Sequence, residues 1–159
     1  MGDFTIASSS ICVQRNPSFF SSSSNEAYFL SSEAHSNPNL LEILKEKSSE
    51  YFLNAHVCKN ASADSFYGSQ GRISENFHDA NEGLIAKLKE NSIETLEMET
   101  FQLYHLASCS KGSNIHTAAL TMVFGDRVNN QFLVDKNAKK ILEEKGGLVC
   151  LETLITVAQ

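Results

Sequence analysis

The chain has 159 residues, 42% of them apolar and 20% charged, and a formal net charge of −6. That length suits one domain able to bury roughly 70% of its unfolded surface, and the composition is that of a globular chain, not a disordered one. The acidic balance excludes a nucleic-acid partner, since a phosphate-backbone reader needs a basic face to release counterions.

In chain order, residues 4–8 (FTIAS) and 11–13 (ICV) predict a strand. The serine-rich passage through residues 21–24 lacks periodicity and predicts a loop. Asn37 before Pro38 supplies a cap and a first-turn proline. Leu40, Leu41, Leu44, Lys47 and Tyr51 then recur at helical spacing, with Ile43 and Phe52 widening the stripe, so a helix is expected to about Leu53. Residues 55–61 (AHVCKNA) predict a strand that leads into DSFYGSQGR (64–72), after which Asp79 is expected to cap a helix through Leu84, Ile85 and Leu88.

Residues 93–96 (IETL) predict a strand running directly into a helix with Phe101, Leu103, Tyr104 and Leu106, closed by Lys111 and Gly112. The apolar run 115–124 (IHTAALTMVF) predicts a buried strand. Asp135 marks the cap of a last helical region, broken or kinked at Gly146 and Gly147 and ending in residues 148–158. This alternation predicts an α/β layer fold with a largely parallel sheet, in which ligands bind at the carboxyl ends of the strands.

Cys12, Cys58, Cys109 and Cys150 are far apart, with no C-x-x-C pair and no histidine at ligand spacing, so neither a metal site nor a disulfide framework is expected. Reduced thiols and the lack of a visible secretory signal make the cytoplasm the expected location, and no apolar stretch is long enough to span a bilayer. Met1 and Gly2 fail as a myristoylation signal because Ile6 stands where serine or threonine is needed. Asn60-Ala61-Ser62 matches a glycosylation sequon, which without an export signal reads as chance. His105 and His116 are expected as satisfied core positions, and Cys109, four residues after His105, as part of a packed helix face.

Two stretches carry chemistry. In DSFYGSQGR, Gln70 offers a planar donor–acceptor amide and Arg72 a fork of donors, the complement of uracil N3–H, O2 and O4. Phe66 supplies a wall for a flat ring, and Gly68 and Gly71 allow close backbone approach. Alone, the stretch reads first as a solvated turn with an exposed arginine. In LEMET (96–100), Glu97 and Glu99 fall on one side of an extended backbone with Met98 on the other. A carboxylate there can accept both hydroxyls of a vicinal diol such as ribose; general acid–base work and simple helix-terminus acidity stay open.

Taken together, ASADSFYGSQGR (61–72) and LEMETFQLYHLA (96–107) resemble the uridine phosphorylases of the nucleoside phosphorylase family, with their D-x-F-Y-x-x-Q-x-R base loop and E-M-E-[ST] ribose motif. Gly2-Asp3 before the first strand and the turn at Arg127 follow the same order. The resemblance implies a three-layer α/β/α fold with a mostly parallel or mixed central sheet, and a single domain over residues 1–159. It implies that Phe66, Gln70 and Arg72 bind the base and that Met98 and Glu99 bind ribose together with Glu97, which matches the family's first glutamate. The implied reaction is phosphorolysis of uridine to uracil and ribose 1-phosphate, with inorganic phosphate as co-substrate, no cofactor, and a homo-oligomer in the full domain.

Nothing in the chain resembles a glycine-rich anion loop. The family's Gly-Asp-x-x-Arg loop and Arg-x-Gly-Thr-type strand are expected upstream of Met1, so the chain reads as the C-terminal part of such a domain and efficient turnover by it alone is not expected. A noncatalytic nucleoside- or uracil-binding remnant, or a truncated product, is the alternative reading.

Overall fold

A computed structural model of the chain describes residues 1–19, 21, 25–51, 53–129, 131–133 and 135–158. Phe52 and residues 22–24 of the serine run, both included in the expectations above, lie outside these. The elements in chain order are β1 (Phe4–Arg15), β2 (Tyr28–Leu30), β3 (Ala34–His35), α1 (Pro38–Glu50), β4 (Ala55–Ala63), a 3-10 turn (Gly68–Gln70), α2 (Leu84–Glu90), β5 (Ile93–Glu97), α3 (Thr100–Ser108), β6 (Leu120–Met122), β7 (Gly125–Asp126), β8 (Gln131–Phe132) and α4 (Lys136–Val157). They divide into two compact units: Met1–Ser8 with Ser36–Cys58 and Asn114–Gln159, and Ser9–His35 with Lys59–Ser113.

In the first unit, α1 starts because the Asn37 side chain accepts from the Leu40 N–H at 3.0 Å and Pro38 occupies the first helical position, where a missing N–H costs nothing. The helix ends at Glu50, short of the expected Leu53, as Leu53 N–H turns back onto the Ser48 carbonyl at 2.9 Å. Leu41 and Leu44 of α1 form a core with Phe4, Ile6, Leu53 and Val149. Each such side chain is worth about 1.5–3 kcal/mol when removed from water.

Two expectations for this unit are corrected. The run 115–124 is not one buried strand. Only Leu120–Met122 pairs, antiparallel to Phe4–Ile6 of β1, while Ile115 and Phe124 are exposed. The apolar run has a strand partner over three residues, and an apolar pattern without a partner does not make a strand. Nor is α4 broken at its glycines. Capped by Asp135, which accepts from the Asn137 and Ala138 N–H groups at 2.9 and 3.1 Å, it runs through Gly146 and Gly147 without interruption. Gly146 is instead a contact position, where an added Cβ would lie 2.7 Å from Cε1 of the buried Phe4 ring.

In the second unit, the strand order is β2-β1-β4-β5. β1 pairs antiparallel with β2 (Val13 opposite Leu30) and β3 (Ser9 opposite His35), whereas β4 and β5 are parallel. The sheet is therefore mixed, with the parallel pair where the two singled-out stretches begin. Ile11, Val13, Tyr28, Ala61, Leu84, Leu88 and Ile93 form the core. Asp79 does not cap α2. That helix begins after Gly83, and the Asp79 carboxylate is taken by Arg15 and Tyr28. α3 ends at Ser108 with Cys109 as its cap, before Lys111 and Gly112, since the Cys109 N–H already closes onto the carbonyls of His105 and Leu106.

The two glycines of α4 separate packing from propensity. Gly146→Ala is expected to cost about 1–3 kcal/mol by overpacking the Phe4 ring, whereas Gly147→Ala, with nothing within 4 Å of its added Cβ, gains up to about 1 kcal/mol of helix propensity. Urea denaturation of the two variants checks both signs.

Candidate functional site

The site grows from one register. On the parallel pair β4 and β5, Ser62 lies opposite Glu97. DSFYGSQGR leaves β4 two residues after Ser62, and LEMET turns from β5 into α3 at Glu97. Both stretches therefore start at the carboxyl ends of adjacent strands, where an α/β sheet opens to ligands.

Glu97 holds this junction together. Its Oε1 accepts from Asn60 Nδ2 and Ser62 Oγ, each at 2.5 Å, and its Oε2 accepts from the Glu99 and Thr100 N–H groups at 2.7 and 2.8 Å. These bonds occupy the roughly four acceptor positions of an ionised carboxylate. Ser62 Oγ also accepts from the Phe101 N–H at 2.7 Å. Three donors at the start of α3 are thus satisfied by side chains of the strand ends, and negative charge sits at the positive end of the helix. Asn60 is positioned in turn, donating to Ser10 Oγ at 3.0 Å and accepting from Thr95 Oγ1 at 2.9 Å. Asn60, Ser62 and Ser10 are each 1% exposed. The sequon asparagine is therefore inside the sheet.

Burial raises the Glu97 pKa, but the bonds from Ser62, Asn60 and the Glu99 and Thr100 amides outweigh it, and the net shift is below the ordinary glutamate value. Beside it, Met98 is half-buried and Glu99 exposed. The Glu99 carboxylate accepts from the Met98 N–H at 3.2 Å, while its backbone forms the helix cap position without a side-chain capping bond.

The other stretch folds into a loop fixed at its base. Asp64 accepts from the Arg15 N–H at 2.8 Å and from Ser69 Oγ, using both oxygens. The 3-10 turn buries Gln70 to 5% exposure and ends at Gly71, whose φ of 68° is the left-handed region that glycine enters freely. An added Cβ at Gly71 would also strike Ile85 at 2.4 Å. Asn81 fastens the far side, donating to the Gly68 and Arg72 carbonyls at 3.2 and 2.7 Å. Tyr28 donates to Asp79 at 2.8 Å, and burial, together with that carboxylate, pushes its phenol well above the usual range.

Arg72 stacks on Phe66, its guanidinium carbon 3.7 Å from the ring centre, so these two candidates are brought together. Among the described residues no carboxylate pairs with Arg72, and its buried Nε has no hydrogen-bond partner. A cavity of ≈ 480 Å³ adjoins the loop, lined by Arg15, Tyr67, Arg72, Phe77, His78 and Asp79 among others. Gln70 and Phe66 do not line it. Phe66 is half exposed and keeps one ring face free of Arg72.

Asn60, Ser62, Asp64 and Asn81 are positioning residues that the sequence reading did not single out. For Asn60 and Ser62 there was a signal, since alternate polar residues at the end of an apolar strand share one face. Two expectations about histidines fail. His105 and His116 are exposed: His105 stacks on Phe101 and lies 3.8 Å from Cys109 Sγ, and His116 contacts Asn114 at 2.8 Å. The helix face carrying His105 and Cys109 is not packed in this chain.

The family model of the phosphorylase superfamily matches residues 1–151. The chain belongs to the phosphorylase superfamily. Among solved structures, it is similar to a chain from a structural and catalytic study of two uridine phosphorylases of the oomycete Phytophthora capsici, with 32% identity and a TM-score of 0.87 over 96% of this chain and 58% of that one. A Trypanosoma brucei nucleoside phosphorylase described as showing uridine phosphorylase activity shares the fold, at 15% identity and a TM-score of 0.75, over 98% of this chain and 58% of its own. The chain thus spans 58% of the length of each of these two solved chains. No curated protein matches it. No described helix is long and apolar enough to cross a membrane.

The Glu97 shift has a pH signature. A carboxylate depressed in the folded state stabilises it fully above the unfolded value and loses that contribution as pH falls through the folded one. The urea midpoint is therefore expected to fall as pH drops below about 4. Glu97→Gln, whose amide nitrogen can only donate, should lower the midpoint at pH 7 and flatten the acid dependence, as urea melts across pH 3–7 would show.

Proposed function

We propose that the second unit carries the base and ribose subsites of a uridine phosphorylase, the enzyme that converts uridine and inorganic phosphate to uracil and ribose 1-phosphate. One observation carries the reading: Ser62 lies opposite Glu97 in the parallel pair, so the Gln70–Arg72 loop and the Met98–Glu99 turn begin side by side at the carboxyl ends of the strands. In this reading Gln70 and Arg72 read the uracil edge, the free face of Phe66 covers the ring, and Met98 and Glu99 receive the ribose. Among the described residues the Arg72 guanidinium has no carboxylate partner, which supports its availability to an external acceptor.

The chemistry follows from where charge develops. As the glycosidic bond breaks, the sugar becomes cationic and the base gains negative charge on O2 and O4. Donors from Gln70 and Arg72 then bind the departing anion more tightly than the neutral base, which lowers the barrier. A well-placed donor of this kind is worth roughly 3–4 kcal/mol. The exposed Glu99 carboxylate suits the ribose diol, because it can accept from two hydroxyls and carries only the one 3.2 Å amide bond. Inorganic phosphate is the co-substrate in this proposal, with no cofactor, and no described residue is assigned to hold it. Binding is therefore the direct test.

Calorimetric titration of the chain should show uridine and uracil binding, with cytidine disfavoured because its amino group faces the Arg72 donors. Arg72→Ala is expected to weaken both uridine and uracil roughly 10-fold or more. Glu99→Gln should weaken uridine and spare uracil. Equal losses for the two ligands in Glu99→Gln would refute the diol contact, and no binding of either ligand to the unmodified chain would refute the reading as a whole.

A further inference from the structure

Glu97 and Glu99 look equivalent in the sequence, two carboxylates on one side of an extended backbone, but their surroundings differ. Glu99 is exposed and accepts one long bond from a neighbouring amide. Glu97 accepts four bonds, two from strand side chains and two from the backbone on which Glu99 and Thr100 are built. A ribose hydroxyl would have to displace one of these donors, stranding either a buried side-chain donor or a helix N–H. The same bonds hold the Glu97 carboxyl below the ordinary glutamate value, favouring the ionised, acceptor-only form.

We infer that Glu97 is a positioning residue and not a ribose ligand, and that Ser62 and Asn60 act through it to fix Met98 and Glu99 for the nucleoside. The inference rests on the proposed function and reassigns labour within that site. The path is continuous. Ser10 and Thr95 hold the Asn60 amide; Asn60 and Ser62 hold Glu97 Oε1; Glu97 Oε2 holds the Glu99 and Thr100 amides; and Ser62 directly holds the amide of Phe101. The Glu99 backbone nitrogen thus hangs from the end of β4, two residues before the base loop begins. Through this path the distance between the ribose carboxylate and the base-reading loop is set by buried groups that do not touch ligand.

The arrangement makes the two ligands diagnostic. Uracil meets only the loop, whereas uridine needs the loop and the turn at their set separation. Ser62→Ala removes one donor to Glu97 and the acceptor for the Phe101 N–H. In amide hydrogen exchange, the Glu99, Thr100 and Phe101 amides are expected to exchange roughly tenfold faster while α1 and α4 keep their rates. In calorimetry, uridine should weaken roughly tenfold while uracil stays within about twofold. Glu97→Gln carries the same two readouts if Ser62→Ala does not fold.

Unchanged exchange at these three amides, or faster exchange spread evenly over the chain, would overturn the inference, as would faster local exchange with unaltered uridine affinity. A uridine loss in Glu97→Gln with wild-type exchange at Glu99 and Thr100 would restore Glu97 as a direct ligand. An unmodified chain that binds neither uridine nor uracil sinks the proposed function, while the exchange rates still decide what the Glu97 carboxylate holds.

Discussion

The second unit depends on one carboxylate bonded on both sides of a strand–helix junction. A helix start leaves several N–H groups without intrahelical partners, and a parallel strand end leaves polar side chains to be paired. Glu97 resolves both, since its two oxygens face opposite ways: one toward Asn60 and Ser62 in the sheet, the other toward the first amides of α3. The cost of burying its charge is met by four donors and by the helix dipole. With this junction fixed, the Met98–Glu99 turn and the loop from Asp64 have a set separation.

The loop beyond β4 is built on the same principle. Asp64 spends both oxygens at its base, Asn81 clamps two of its carbonyls, and Gly71 supplies the left-handed turn. All of these groups hold the loop itself. The groups left over are the Arg72 guanidinium, which among the described residues has no carboxylate partner, and the half-exposed Phe66 ring it stacks on. The chain belongs to the phosphorylase superfamily and spans 58% of the length of each of the two solved chains it resembles.

Much of this was legible in the sequence wherever the signal was local. Asn37 before Pro38, and Asp135, marked helix starts because capping is decided within three residues. The two motifs stood out because their residue types are few and their spacing specific, and both lie at the carboxyl ends of the parallel strands β4 and β5. Signals that depended on a distant partner misled. Asp79 had the look of a cap, but Arg15 and Tyr28, far away in the chain, claim its carboxylate. Gly146 looked like a helix breaker, yet the Phe4 ring makes it a packing position. The run 115–124 looked like a core strand, but only three of its residues find a strand to pair with.

By itself the sequence determined the α/β alternation, the caps of α1 and α4, and the resemblance carried by DSFYGSQGR and LEMET. Those are properties of neighbours in the chain and of periodicity. Only the tertiary structure decided that β4 and β5 are parallel with Ser62 opposite Glu97, and that Glu97 and Glu99, indistinguishable as letters, lie in opposite environments. Which of two carboxylates is free to bind depends on which donors approach it, and the donors that saturate Glu97 come partly from residues 35 and 37 positions away.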